Sequence, residues 1–370
     1  MTARTKPPFR ADHVGSLLRP PELLKAREDF KNGKIQAAEL RRAEDAAIKA
    51  GIKMQEEIGL HGVTDGEMRR SSWHMDFLYQ IGGVVKTQDN IKVQFKNEQG
   101  VTEFTPSGVR ITGKLKLGKT IFGEDFDFVK QNTKQTPKLT IPSPSMLHYR
   151  GGRAAIDEKI YPQMEQFWTD LGAVYVDEIA ALGQRGCSYL QLDDTSLAYM
   201  NDPKQREMIK KLGGREDQHL TYIKTINAAL AKKPANMMVT THMCRGNFRS
   251  SWAAEGSYDY VAEALFNELK VDGFFLEYDD ARSGGFEPLR FVPKGKLVVL
   301  GLVTTKRPEL ESKDLLKRRI DEAAKYVPLE QLCLSPQCGF SSTVDGNALT
   351  AEQQAAKLRL VVETAREVWG

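Results

Sequence analysis

Apolar residues in this chain alternate between two periods, and the changes between them mark out the elements. Runs apolar on both faces occur at residues 138–142, 189–193, 237–242, 273–278, 296–303 and 331–334. Such runs predict strands buried on both sides, as in a parallel sheet. Helical periodicity fills most of the gaps, at residues 157–184, 204–231, 257–270 and 312–326, and a last helix is expected over 350–369. Two brief β-like stretches come earlier, at 10–16 and 62–67, separated by helical text over 22–58. Strand then helix, repeated eight times, predicts an α/β fold of the (β/α)8 TIM-barrel type rather than an open sheet. The step after Tyr278 is short and glycine-rich. Residues 82–120 break the pattern: runs such as 91–95 and 109–113 alternate apolar with polar between glycines and prolines. That period-two text predicts antiparallel hairpins, inserted after the second strand of one barrel spanning residues 1–370.

Composition narrows the classes. The 370 residues carry a net charge of +4, and no basic stripe of the kind nucleic acid requires stands out. No apolar run approaches the roughly 18 residues that cross a bilayer, and no signal-type segment follows the basic opening. A cytoplasmic protein is expected, with no nucleic-acid or membrane partner; nothing in the sequence sets its oligomeric state. Four cysteines, Cys187, Cys244, Cys333 and Cys338, are too few for a disulfide scaffold and read as reduced thiols. No Gly-rich dinucleotide or phosphate loop follows any strand.

In a barrel of this type, chemistry gathers at the C-terminal ends of the strands. Those ends supply Ser16, then Asp65 and Glu67, then Ser143 and Ser145, then Asp193 and Asp194, then His242 and Cys244, then Glu277, Thr304 and Cys338. His242 and Cys244 are two apart on one strand and so aim the same way. One nitrogen, two sulfurs and a carboxylate suit Zn2+. The competing structural readings are a core histidine at 242, a salt bridge from Glu277 to Arg282, and cysteines that only fill space, as expected for Cys187 and Cys333.

Thr241-His242-Met243-Cys244, Leu276-Glu277 and Ser335-Pro336-Gln337-Cys338-Gly339 resemble the zinc-binding segments of the catalytic half of cobalamin-independent methionine synthase. Asp12-His13-Val14-Gly15-Ser16, Asp65-Gly66-Glu67 and Leu190-Gln191-Leu192-Asp193-Asp194 resemble its homocysteine-binding segments. The resemblance implies that His242, Cys244, Glu277 and Cys338 hold zinc and that Ser16, Glu67 and Asp193 hold the amino-acid part of homocysteine. It also implies a methyl donor, either a methylfolate or a methylcorrinoid protein. Glu277 would be the weakest ligand, the one to yield as substrate sulfur enters. The chain differs from the two-barrel enzyme in having one barrel and looks closest to its short, single-barrel relatives. The family segment with a general-acid histidine aligns with residues 301–306, which contain none. The segment with a folate-binding tryptophan reads Ile141-Pro142-Ser143-Pro144-Ser145-Met146-Leu147-His148. Thr304 and His148 are then expected to be catalytic beside Glu277, with His13 as another proton donor. The alternatives are alkylation of a different thiol, as in epoxyalkane:coenzyme M transferases, a metal-free barrel related to uroporphyrinogen decarboxylase, and a non-catalytic zinc-binding protein.

Overall fold

A computed structural model describes residues 4–88, 93–98, 100–105, 107–149 and 151–370. Its strands are β1 (Gly62–Val63), β2 (Gly82–Gln88), β3 (Val93–Asn97), β4 (Gly100–Phe104), β5 (Ser107–Lys116), β6 (Thr136–Pro142), β7 (Tyr189–Asp194), β8 (Met238–Met243), β9 (Gly273–Glu277), β10 (Leu297–Val303) and β11 (Leu332–Pro336). Seven of them form one parallel sheet in the order β1-β6-β7-β8-β9-β10-β11. Each pairs with the next in sequence, and the fold is mixed α/β with a parallel half-barrel sheet. Every residue of β7, β9, β10 and β11 is buried, in keeping with their apolar runs.

The expected first strand is reduced. Residues 10–16 contribute a single parallel bridge, Ala11 to Leu334, and no ladder joins them to β1 among the described residues. The cause is local. The Asp12 carboxylate accepts the backbone N–H groups of Phe9 (3.0 Å) and His13 (2.8 Å), drawing the chain out of ladder geometry. Side chains hold the seam instead. Lys138 Nζ lies 3.1 Å from Asp12 Oδ1, with both side chains fully buried, and Tyr189 Oη donates to Asp12 Oδ2 at 2.8 Å. His13 Nε2 is 3.2 Å from the Gly62 carbonyl, which ties the segment to β1.

Helices follow most strands. The expected helix over 204–231 is two, Pro203–Lys211 and Gln218–Ala229, broken at Gly213-Gly214, where Gly213 takes a left-handed φ of 81°. Helix Met164–Gln184 begins later than expected, beyond Pro162. The last helix, Ala351–Trp369, starts with a reciprocal capping box between Thr350 and Gln353. The hairpin text after the second strand forms two antiparallel ribbons, β2 with β5 and β3 with β4. Ile91 and Lys92 of the expected run lie outside the described residues. The β3–β4 ribbon docks on the loop after β8, where Lys96 and Trp252 exchange backbone hydrogen bonds of 2.7 and 2.9 Å.

Removing one partner of a buried ion pair leaves the other charge uncompensated, at a cost of about 3–5 kcal/mol. Lys138→Met is expected to lower the unfolding free energy by about that much, read by urea denaturation. An unchanged midpoint would show that the pair does not hold the seam.

Candidate active site

Strand register explains how scattered residues meet. Asp193 pairs with His242, and His242 with Phe275. Two residues further on, Cys244 and Glu277 therefore arrive side by side. Cys338 comes from the loop after β11, which must cross close over β10. A Cβ at Gly301 would sit 2.7 Å from Gln337 Cα, so that crossing requires glycine. Thr305 then holds the loop by donating from N (2.9 Å) and Oγ1 (2.8 Å) to Gln337 Oε1.

The donor atoms of His242, Cys244, Glu277 and Cys338 all lie within 4.8 Å of one another, and all four residues are buried. The two sulfurs are 3.5 Å apart. The imidazole nitrogens of His242 face Asp193 Oδ1 at 3.4 Å and the Gln337 carbonyl at 3.2 Å. Glu277 Oε1 accepts the Arg245 backbone N–H at 3.0 Å, while Oε2 lies 3.4 Å from Arg282. The expected Glu277–Arg282 contact and the four-donor cluster thus coexist.

The cluster is electrostatically polarised. The Cys244–Cys338 hydrogen bond lowers the Cys338 thiol against the opposing effect of burial, helped by His242. The same bond, with burial, pushes Cys244 well above the usual thiol range. Burial alone would depress His242, but its hydrogen bond to Asp193 and the charges of Cys338 and Glu277 outweigh it and raise the imidazole to about 9. Glu277 is held below the usual carboxylate range despite burial, by Lys306, Arg282, Arg245 and His242. Nitrogen, sulfur and carboxylate donors gathered in a dry site suit a zinc ion.

A cavity of about 290 Å3 opens over the cluster, and Ser16, Glu67 and Asp193 line it together with His242, Cys244 and Cys338. Glu67 follows Gly66 in a left-handed turn, with φ of 56°. Its Oε1 accepts from Thr140 Oγ1 at 3.0 Å and lies 3.7 Å from Arg70, whereas Oε2 is buried with no partner among the described residues. An orphaned buried carboxylate oxygen beside a cavity is a place for a ligand cation. Burial pushes Glu67 up to about 7; Arg70 opposes the rise, and the nearby Asp193 and Asp65 add to it. Ser16 Oγ accepts the Ser341 N–H at 3.2 Å, so the first and last strand ends interlock.

Two expected catalytic residues do not reach this cavity. His148 packs outward, 3.1 Å from Tyr222 Oη and tilted against the Trp168 ring, in a separate groove on the helical side. Burial lowers it to about 4, so it is neutral and holds no proton to give near pH 7. Thr304 lies beyond a register shift in β10 and lines a second cavity with Arg282 and Lys306. His13 is also driven down to about 4, by burial and by Lys138, inside the barrel seam. The cavity does contain residues that the sequence reading passed over. His74 and Trp73 come from the loop after β1, and Phe95 and Phe104 from the inserted ribbon. Phe95 and Phe104 sit on one ribbon face and meet Phe248, at ring distances of 5.3 and 4.6 Å. Their period-two spacing was the available signal.

Fold and site together define an α/β protein with a parallel half-barrel sheet whose strand ends gather an imidazole, two thiols and a carboxylate beneath a cavity. Residues 9–367 match the family described as "Cobalamin-independent synthase, Catalytic domain", and the chain belongs to that family of methyltransferases. It is 48% identical to the uncharacterized protein YxjH of Bacillus subtilis, over 98% of this chain and 96% of that one. A methionine synthase of Pyrococcus abyssi is 26% identical over 88% of this chain and 85% of its own length. A solved structure from Listeria monocytogenes, described as a candidate vitamin-B12 independent methionine synthase, is 38% identical. It covers 99% of this chain and 100% of that one, with a TM-score of 0.77.

With its folded value near 7 against an ordinary 4.5, Glu67 takes up a proton on folding between those values. Its contribution to stability is complete below the lower value and is lost as pH rises through the higher one. Glu67→Gln is expected to flatten this part of the stability–pH profile, measured by chemical denaturation across that window. An unaltered slope would mean that Glu67 is ionised throughout.

Proposed function

We propose that the chain is a zinc-dependent methyltransferase that transfers a methyl group to the sulfur of homocysteine, giving methionine. The observation that carries this reading is the four-donor cluster from three strands and a loop, converging within 4.8 Å at the cavity that Glu67 and Asp193 also line. Zinc held by His242, Cys244, Glu277 and Cys338 would keep a substrate thiol deprotonated, and therefore nucleophilic, at neutral pH.

The protein's own groups do the rest. Asp193 orients the His242 ring, an outer-shell role that raises donor basicity. Two cysteinates and a glutamate leave a divalent ion with one net negative charge, so bound sulfur stays electron-rich. Glu67 and Asp193 would receive the α-ammonium, and Ser16 with the backbone around it the α-carboxylate. Glu277 is the hard, oxygen-donor member of the set and would be the weakest of the four ligands. The donor on this reading is a methylfolate; the family is cobalamin-independent by description, and the methylcorrinoid alternative has no support. Among the described residues the cavity imidazole besides His242 is His74, which on this reading would hold the proton the departing donor needs. The coenzyme M reading meets the wrong charge, because a sulfonate would face two carboxylates at Glu67 and Asp193.

Cys244→Ser is expected to lose zinc and methyl transfer together, while Cys187→Ser, a change at a buried packing thiol, keeps both; elemental analysis and a methionine assay read the pair. Stoichiometric zinc in Cys244→Ser would overturn the ligand assignment. X-ray absorption of the zinc protein should show the sulfur neighbours rising from the two cysteines to three when homocysteine is added. An unchanged count would sink the thiol-activation reading.

A further inference from the structure

Methyl transfer to a thiol needs two substrates in one cavity, and on the reading above Ser16, Glu67 and Asp193 serve only the thiol. Much of the remaining wall is aromatic. Phe95, Phe104 and Phe248 line the same cavity, with Trp73 from the loop after β1. Phe248 is four residues beyond Cys244, so the loop that carries it leaves directly from the donor cluster.

In the β3–β4 ribbon Val93 pairs with Phe104 and Phe95 with Thr102, which puts Phe95 and Phe104 diagonally on one face. Phe248 packs against both, tilted by 46° to Phe95 at 5.3 Å and by 31° to Phe104 at 4.6 Å. Phe95 and Phe248 are buried, whereas Phe104 is half-buried and is the most open ring of the three. Aromatic rings at a cavity wall accept another flat ring by offset or edge contact. A polar group narrows the class of that ring. Asn247 also lines the cavity and is 7% exposed. Its Nδ2 donates to the Gly339 carbonyl at 2.9 Å and to Ser342 Oγ at 3.3 Å. A carbonyl can only accept, so the orientation of the amide is fixed. Oδ1 is left buried with no hydrogen-bond partner among the described residues. A buried acceptor is costly to leave unmet, and at a cavity wall a ligand N–H can meet it.

We propose that Phe95, Phe104 and Phe248 form the subsite for the flat head of the methyl donor, a nitrogen heterocycle with N–H groups, one of which Asn247 Oδ1 accepts. The inference rests on the methyltransferase reading above. It makes the inserted ribbon, which forms no part of the seven-stranded sheet, the element that selects the donor. Phe104 is the specificity-determining residue, because its ring is the one left open for the heterocycle to cover. The pterin head of a folate meets the description: its pyrimidine ring is flat and carries an amino group and a ring N–H.

The test uses calorimetry on wild type, Phe104→Leu and Phe104→Tyr. Homocysteine is titrated alone, and tetrahydrofolate, which has no methyl group to transfer, is titrated with homocysteine present. Phe104→Leu is expected to bind tetrahydrofolate about tenfold more weakly, with homocysteine affinity, zinc content and unfolding midpoint unchanged, whereas Phe104→Tyr keeps the ring and binds like wild type. In wild type, 6-methylpterin is expected to displace tetrahydrofolate. Quinoline, flat but without an N–H, is expected to do so at least about tenfold less well. Unchanged tetrahydrofolate affinity in Phe104→Leu would overturn the proposal. So would an equal loss of homocysteine affinity, which would make Phe104 a support for the whole cavity, and so would equal competition by quinoline. A wild type that binds zinc and homocysteine but neither tetrahydrofolate nor 6-methylpterin would overturn this inference alone. A wild type that binds neither zinc nor homocysteine would overturn the methyltransferase reading and this inference together.

Discussion

The buried ion pair between Asp12 and Lys138 is the constraint on which the site depends. A parallel sheet of seven strands leaves a seam between β1 and β11, where among the described residues strand pairing amounts to one bridge at Ala11, with the Leu17 N–H donating to the Gly66 carbonyl and the Phe340 N–H to that of Ser16 beyond it. Asp12, Lys138, Tyr189 and His13 bind the amino-terminal segment there through side chains. Ser16 is placed by that segment, four residues beyond Asp12, and it interlocks with the loop that carries Cys338. The loop that carries Cys338 and the Ser16 end of the cavity thus share one support. A seam held by charge has to be dry to be strong, and both side chains of the pair are fully buried.

The donor cluster poses the opposite electrostatic problem. Two thiols, a carboxylate and Asp193 gather in one buried place, and the fold answers with Arg245, Arg282 and Lys306 around Glu277. These cations differ in how firmly they are engaged. The Arg245 guanidinium is fixed by the Gly256 carbonyl and Tyr258 Oη, and Arg282 by Asp279 and Asp280, whereas Lys306 Nζ has no hydrogen-bond partner among the described residues.

The inserted ribbons show how a peripheral element acquires a role. Hairpins this short cannot bury a core of their own, and they gain stability by docking on the loop after β8 through Lys96 and Trp252. Docking brings Phe95 and Phe104 to the cavity beside Phe248. The loop it rests on starts immediately after Cys244, so the aromatic wall and the four-donor cluster are mechanically connected.

Much of this was legible in the sequence, because strands buried on both faces leave an uninterrupted apolar signal, and strand-end polar residues have little reason to be there except chemistry. The runs at residues 189–193, 237–242 and 273–278 identified β7, β8 and β9, and the two-residue spacing of His242 and Cys244 already placed them on one side. What sequence could not supply is direction beyond the strand. Thr304 occupies a strand end by count, yet a register shift in β10 turns it into a neighbouring cavity, and His148 follows a strand but faces the helical layer. The amino-terminal strand likewise fails because Asp12 captures backbone N–H groups that a ladder would need. Periodicity reports which face of an element is buried, a local property written residue by residue. Which loop crosses which strand, and which buried charge is left without a partner, depends on distances between segments hundreds of residues apart, and those exist only once the sheet has formed.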